Sequence, residues 1–148
     1  MTNANTRRRR PPIIIGDEDH ERLTRLASGA PAALADAAEE LLGELDRARI
    51  KPQSQLAAGV VRMGSHVTFR PASGQARTVQ LVFPGEADIA EGRISILTPI
   101  GAALIGLAEG QSIGWDDRSG RSHELTVLSV RQPDTAEDQV LQPAGARS

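Results

Sequence analysis

The sequence predicts an α+β protein in which a short helical hairpin precedes a mostly antiparallel sheet wrapped around one short helix. Three observations predict it. Apolar residues recur at helical spacing between Leu23 and Ala48, then at period two from His66 onward. The stretch Pro52 to Gly59 divides the two regimes, and no internal repeat crosses it. A composition of 39% apolar and 24% charged residues over 148 positions fits one compact domain with an appendage, not a fibre, a disordered chain or a large enzyme.

Residues 1–12 are polar, carry Arg7 to Arg10 and end in Pro11-Pro12, so a disordered tail is expected. Ile13 to Ile15 is too short an apolar run for a signal peptide or a membrane span, which places the chain in the cytoplasm. Residues 13–52 read as a helical hairpin. Its first helix, Asp17 to Ser28, opens with Asp17, Glu18, Asp19 and Glu21, where negative charge suits the helix dipole and Asp17 is placed to cap. Leu23, Leu26 and Ala27 form its apolar stripe, and Ser28-Gly29-Ala30-Pro31 supplies stop, turn and restart. The second helix is expected to reach about Ile50, with Leu34, Ala38, Leu41, Leu45 and Ala48 as a heptad seam and Pro52 ending it.

Residues 53–59 read as a linker and residues 60–132 as the globular domain. Its expected strands are His66–Arg70, Thr78–Phe83, Arg93–Leu97, Ser112–Asp116 and Glu124–Arg131. Thr98-Pro99 reads as an N-cap and first-turn proline for a helix from Ile100 to Leu107. Asp116-Asp117 with Arg118-Ser119-Gly120 is ordinary turn chemistry. Residues 133–148 hold few apolar side chains and are expected to be disordered.

Several chemistries are excluded or disfavoured. With no cysteine there is neither a disulfide framework nor a thiolate zinc site. Gly101 to Gly106 lacks the Lys-Ser/Thr ending of a phosphate-binding loop. His20, His66 and His123 are far apart, and no serine lies in a nucleophile-elbow context, so no catalytic residue, cofactor or metal is expected. Phe69, Phe83 and Trp115 are too few for a base-stacking platform, and a net charge of −2 argues against a nucleic-acid binder. Asp36 and Glu39 share one helix face near the hairpin tip. Such a pair holds a divalent ion or simply complements the helix dipole. From Pro11 to Asp46 nine acids face two bases, a net of −7 that suits a basic groove in a partner machine. Nothing demands a dimer, so a monomer is expected.

The second region resembles the C-terminal domain of the Gre-type transcription elongation factors. The resemblance is carried by Val61 to Val67, by Leu81-Val82-Phe83-Pro84-Gly85-Glu86-Ala87-Asp88, and by Gly92 to Leu107. Pro12 to Ile15 with Asp17 and Arg22-Leu23, and Leu42 to Ala48, resemble the Rnk-type branch, the regulators of nucleoside diphosphate kinase. The resemblance implies an N-terminal antiparallel coiled coil and an FK506-binding-protein-like (FKBP-like) domain. It implies docking at the rim of RNA polymerase's secondary channel, with Thr98, Pro99, Ile100, Gly101 and Ala102 as the candidate docking segment. The same residues read equally as a cap and the first turn of a packed helix. In Gre factors acids at the coiled-coil tip supply a metal ligand for transcript cleavage. Here a first helix of ~18 Å leaves Asp36 and Glu39 short of that centre, so competition with Gre factors without cleavage is expected. Gln111 stands where that family commonly has Asp, which weakens any function assigned to that turn. Any link to nucleoside diphosphate kinase is expected to be indirect. Prolyl isomerase activity, suggested by the fold alone, is disfavoured by the shortage of aromatics.

Overall fold

In the computed structural model of the chain, residues 11–116 and 119–133 are described. The expectations for residues 1–10, for Asp117 and Arg118, and for residues 134–148 lie outside them. The chain begins with β1 (Ile14–Gly16), α1 (Asp17–Ser28), α2 (Ala35–Arg47) and β2 (Arg49–Lys51). β1 and β2 pair in parallel, Ile14 opposite Arg49 and Ile15 opposite Ile50. Parallel strands need a long crossover, and the helical hairpin is that crossover. The second helix therefore stops at Arg47, short of the expected Ile50. Ala48 turns extended, and Arg49 N–H donates to the Ile13 carbonyl at 2.9 Å. At the other end, Pro31 is followed by a 3₁₀ turn, Ala32–Leu34, before α2 begins.

Asp17 is not the cap of α1. Gly16 occupies that position, and Asp17 Oδ1 instead accepts from Gln53 N–H at 2.9 Å. Gln53 Oε1 accepts from Asp19 N–H at 3.0 Å. A residue of the expected linker thus caps a helix 34 positions away and satisfies one of its orphan donors. The stretch 53–59 is tied down by this exchange at one end and by the Gly59 carbonyl, which accepts from Glu109 N–H at 3.1 Å, at the other.

The globular part contains β3 (His66–Pro71), β4 (Arg77–Val82), β5 (Arg93–Ser95), α3 (Pro99–Leu104), β6 (Ser112–Asp116) and β7 (Ser122–Arg131). The sheet order is β5-β4-β3-β7-β6, antiparallel except for the β4–β5 pair. Alternation puts Val67, Phe69, Val79, Leu81, Ile113, Leu125 and Val127 on the buried face. Between Thr68 and Phe69 the β3–β7 register slips, so Leu128 is the extra residue of a bulge and remains exposed. α3 ends at Leu104 rather than Leu107. Gly106 then adopts φ 83°, its carbonyl accepts from Ile14 N–H at 3.2 Å, and its Cα lies where any Cβ would meet Ile13 Cβ at 2.9 Å. The helix yields to the docking of β1.

One core joins the two regions. Ile13 and Ile15 of β1 and Leu23, Leu41 and Leu45 of the hairpin share a cluster with Phe69, Leu81, Leu104 and Leu125. Of the expected seam, Ala38, Leu41 and Leu45 are buried on α2, whereas Leu34 and Ala48 lie outside that helix and are half-buried; α2 packs on α3 as well as on α1. The hairpin consequently lies along the globular domain and does not project freely from its base. Asp19, only 5% exposed, accepts from Met63 N–H at 3.1 Å, and the Arg22 guanidinium lies 4.6 Å from the Phe83 ring centroid.

Candidate functional site

The five residues of the expected docking segment separate into two groups. Thr98 caps α3: its Oγ1 accepts from Gly101 N–H at 3.1 Å and donates to the Ser95 carbonyl at 2.7 Å. Gly101 and Ala102 are buried, and a Cβ on Gly101 would sit 2.3 Å from the Ser95 carbonyl oxygen. Those two positions serve packing. Pro99 is exposed and Ile100 half-buried, and both open onto a cleft with Thr98.

The cleft encloses about 510 Å³. Its apolar walls include Phe69, Val79, Ile94, Pro99, Ile100 and Trp115, and Ile89 stands at its edge, 84% exposed. Two of the chain's three aromatics therefore meet in one surface, which counting aromatics does not reveal. His123 stacks on Trp115 across the β6–β7 pair, with ring centroids 5.4 Å apart. Arg77 and Arg93 also line the cleft, and no acidic residue among the described ones does. The Arg77 guanidinium lies 5.8 Å from the Phe69 ring centroid.

Asp36 and Glu39 are both exposed in the first turns of α2. They are not brought to the cleft. Among the described residues no three His, Asp or Glu side chains gather where a metal ion would be held. No helix among them is long and apolar enough to cross a membrane.

Away from the cleft, three polar side chains tie distant parts of the chain together. Gln111 Oε1 accepts from Ala108 N–H at 2.9 Å and its Nε2 donates to the Pro12 carbonyl at 3.3 Å. Glutamine here joins the turn to the N-terminal segment. Within the block Val61 to Val67, fully buried Ser65 donates to Gln132 Oε1 at 2.7 Å, and Gln132 Nε2 donates to the carbonyls of Ala58 and Val60 at 2.8 and 2.9 Å. No local pattern signals a contact between residues 67 positions apart.

Comparison with known proteins matches this architecture in two consecutive stretches. The Rnk N-terminus family model covers residues 11–50, and the GreA/GreB transcription elongation factor C-terminal model covers residues 56–132. The chain is 39% identical over 134 residues to a regulator of nucleoside diphosphate kinase from Escherichia coli strain K12, spanning 89% of this chain and 98% of that protein. It is 40% identical over 106 residues to transcription elongation factor GreA of Chloroflexus aggregans, covering 71% of this chain and 67% of that factor. A solved GreA/GreB elongation factor from Nitrosomonas europaea superposes with a TM-score of 0.64 at 34% identity, over 82% of this chain and 98% of that one. With the hairpin, the globular domain and their order all matched, the chain belongs to the Rnk family of regulators within the GreA/GreB transcription elongation factor group.

Proposed function

We propose that the protein is a non-enzymatic regulator that binds RNA polymerase at the rim of the secondary channel, competes there with Gre factors and does not stimulate transcript cleavage. The observation that carries this reading is a Gre-type globular domain joined to an arm too short and too firmly seated to act at a distance. α1 has 12 residues and α2 has 13, so neither exceeds about 20 Å. Their inner faces are spent on the core shared with the sheet. Pro99 and Ile100, with the cleft beside them, supply the docking face. The net −7 of the hairpin segment favours the approach of this end toward a basic channel.

The test is a titration of the full-length protein into polymerase with a backtracked transcript. Co-purification with polymerase and progressive inhibition of Gre-stimulated cleavage are expected. No effect on either, near physiological salt, would sink the reading. A second reading follows from the name of the Escherichia coli relative: control of nucleoside diphosphate kinase. No kinase chemistry is present among the described residues, so the expected effect is indirect, and that enzyme's turnover should be unchanged on adding the purified protein. A proline-peptide isomerisation assay should likewise show no catalysis; the cleft's aromatic lining makes this a real test.

A further inference from the structure

The cleft beside α3 also carries information about what it accepts. Ile89 is the most exposed large apolar side chain among the described residues, yet its turn is rigidly built. Asp88 and Arg93 exchange two backbone hydrogen bonds, each 2.9 Å, and Gly92 closes the turn at φ 76°. Gln80 N–H fastens the turn to β4 by donating to the Gly92 carbonyl at 2.8 Å. An isoleucine held in water on a fixed scaffold is pre-organised for burial against a partner. Around it, Arg77 and Arg93 are the arginines of the cleft wall, and no carboxylate among the described residues makes an ion pair with either. The acids of the adjoining turn, Glu86, Asp88 and Glu91, are exposed and do not line the cleft, but Glu86 and Asp88 line a neighbouring cavity that Arg93 also borders, so Arg77 is the cleft's more isolated positive charge.

We propose that this cleft takes an acidic, apolar protein segment: Ile89, Pro99 and Trp115 bury its apolar side chain while Arg77 and Arg93 receive its carboxylates. This rests on the docking reading above and adds the chemistry of the docked partner. Nucleic acid fits less well. Ile89, Ile94, Pro99 and Ile100 form an apolar lining that a phosphate backbone leaves unburied and an apolar side chain covers.

Trp115 is the chain's only tryptophan and lines the cleft, so its fluorescence reports occupancy directly. The full-length protein would be titrated with a capped amphipathic peptide of leucine and glutamate, with its lysine counterpart, and with a single-stranded oligonucleotide. A saturable change with the glutamate peptide is expected, weakened about tenfold or more in Ile89→Ser and in the Arg77→Glu/Arg93→Glu double variant. The lysine peptide and the oligonucleotide should bind at least as poorly as the variants do. Equal binding of the two peptides, preference for the oligonucleotide, or no binding at all overturns the proposal. The same variants would then be tested for polymerase binding. If the wild type binds and the variants match it, the cleft assignment fails while polymerase docking stands. If the wild type ignores polymerase but takes the glutamate peptide, polymerase docking fails and the cleft assignment stands. Ile89 and Arg77 are exposed and Arg93 is half-buried, so Ile89→Ser should unfold close to wild type, and a thermal unfolding curve of each variant separates lost binding from lost fold.

Discussion

Gly101 and Pro99 are two positions apart and answer different questions. Replacing Gly101 by alanine drives a Cβ to within 2.3 Å of one backbone oxygen and 2.9 Å of the Ile96 Cα, neither of which moves freely. Overpacking of this kind costs about 1–3 kcal/mol, which thermal unfolding should register as a lowered midpoint. Pro99→Ala, at an exposed first-turn position, should change stability by less than about 0.5 kcal/mol yet reduce polymerase binding. If Pro99→Ala binds normally while Gly101→Ala only unfolds, the segment is structural and not a docking surface. Asp19 poses a third test. Its carboxylate is buried and accepts from Met63 N–H, so Asp19→Ala should cost about 1–3 kcal/mol in urea denaturation by stranding that donor. The acidic run at the start of α1 was legible as a favourable dipole interaction. That one of its members faces inward was not, because the partner lies 44 positions away.

Among the elements, the hairpin and sheet were legible because periodicity is a local property. Leu23, Ala27, Ala38, Leu41 and Leu45 are all buried, as their spacing requires. Both helix ends that fell short of expectation did so for a nonlocal reason. α2 gives up its last turn so that Arg49 to Lys51 can pair with β1, and α3 gives up its last turn so that Gly106 can meet Ile13. Three-residue strands such as β1 carry too little pattern to be seen without their partner. The bulge that ejects Leu128 is hidden in the same way, since it is defined by two strands at once. For the hairpin tip the expectation is functional: Asp36→Ala and Glu39→Ala, together, should leave polymerase binding and inhibition of cleavage unchanged. Loss of inhibition in that double variant would restore the acids to a direct role.

At the scale of the molecule, the hairpin and the globular domain share one hydrophobic cluster, which predicts that they unfold together. Because Leu41 shares its cluster with Leu104 and Leu125, Leu41→Ala should remove about 2–5 kcal/mol from one transition seen identically by circular dichroism and by Trp115 fluorescence. Two separated transitions would show instead that the hairpin melts alone. The charge distribution also belongs to this scale: an acidic hairpin packed beside a cleft that carries two arginines offers a charged machine two contacts of opposite sign. By itself the sequence determined the class, the order of the major elements and, through its resemblance to the Gre factors, the family, because periodicity, caps and contiguous motifs are written in neighbouring residues. Only the tertiary structure decided that the hairpin is a crossover packed on the globular part, that Gln53 fastens its first helix, Gln111 the segment before it and Gln132 the stretch from Ala58 to Ser65, and that Phe69, Ile89, Pro99 and Trp115 converge on one cleft. Those are contacts between distant positions, and their free energy comes from burial and from satisfying polar groups that no local pattern records.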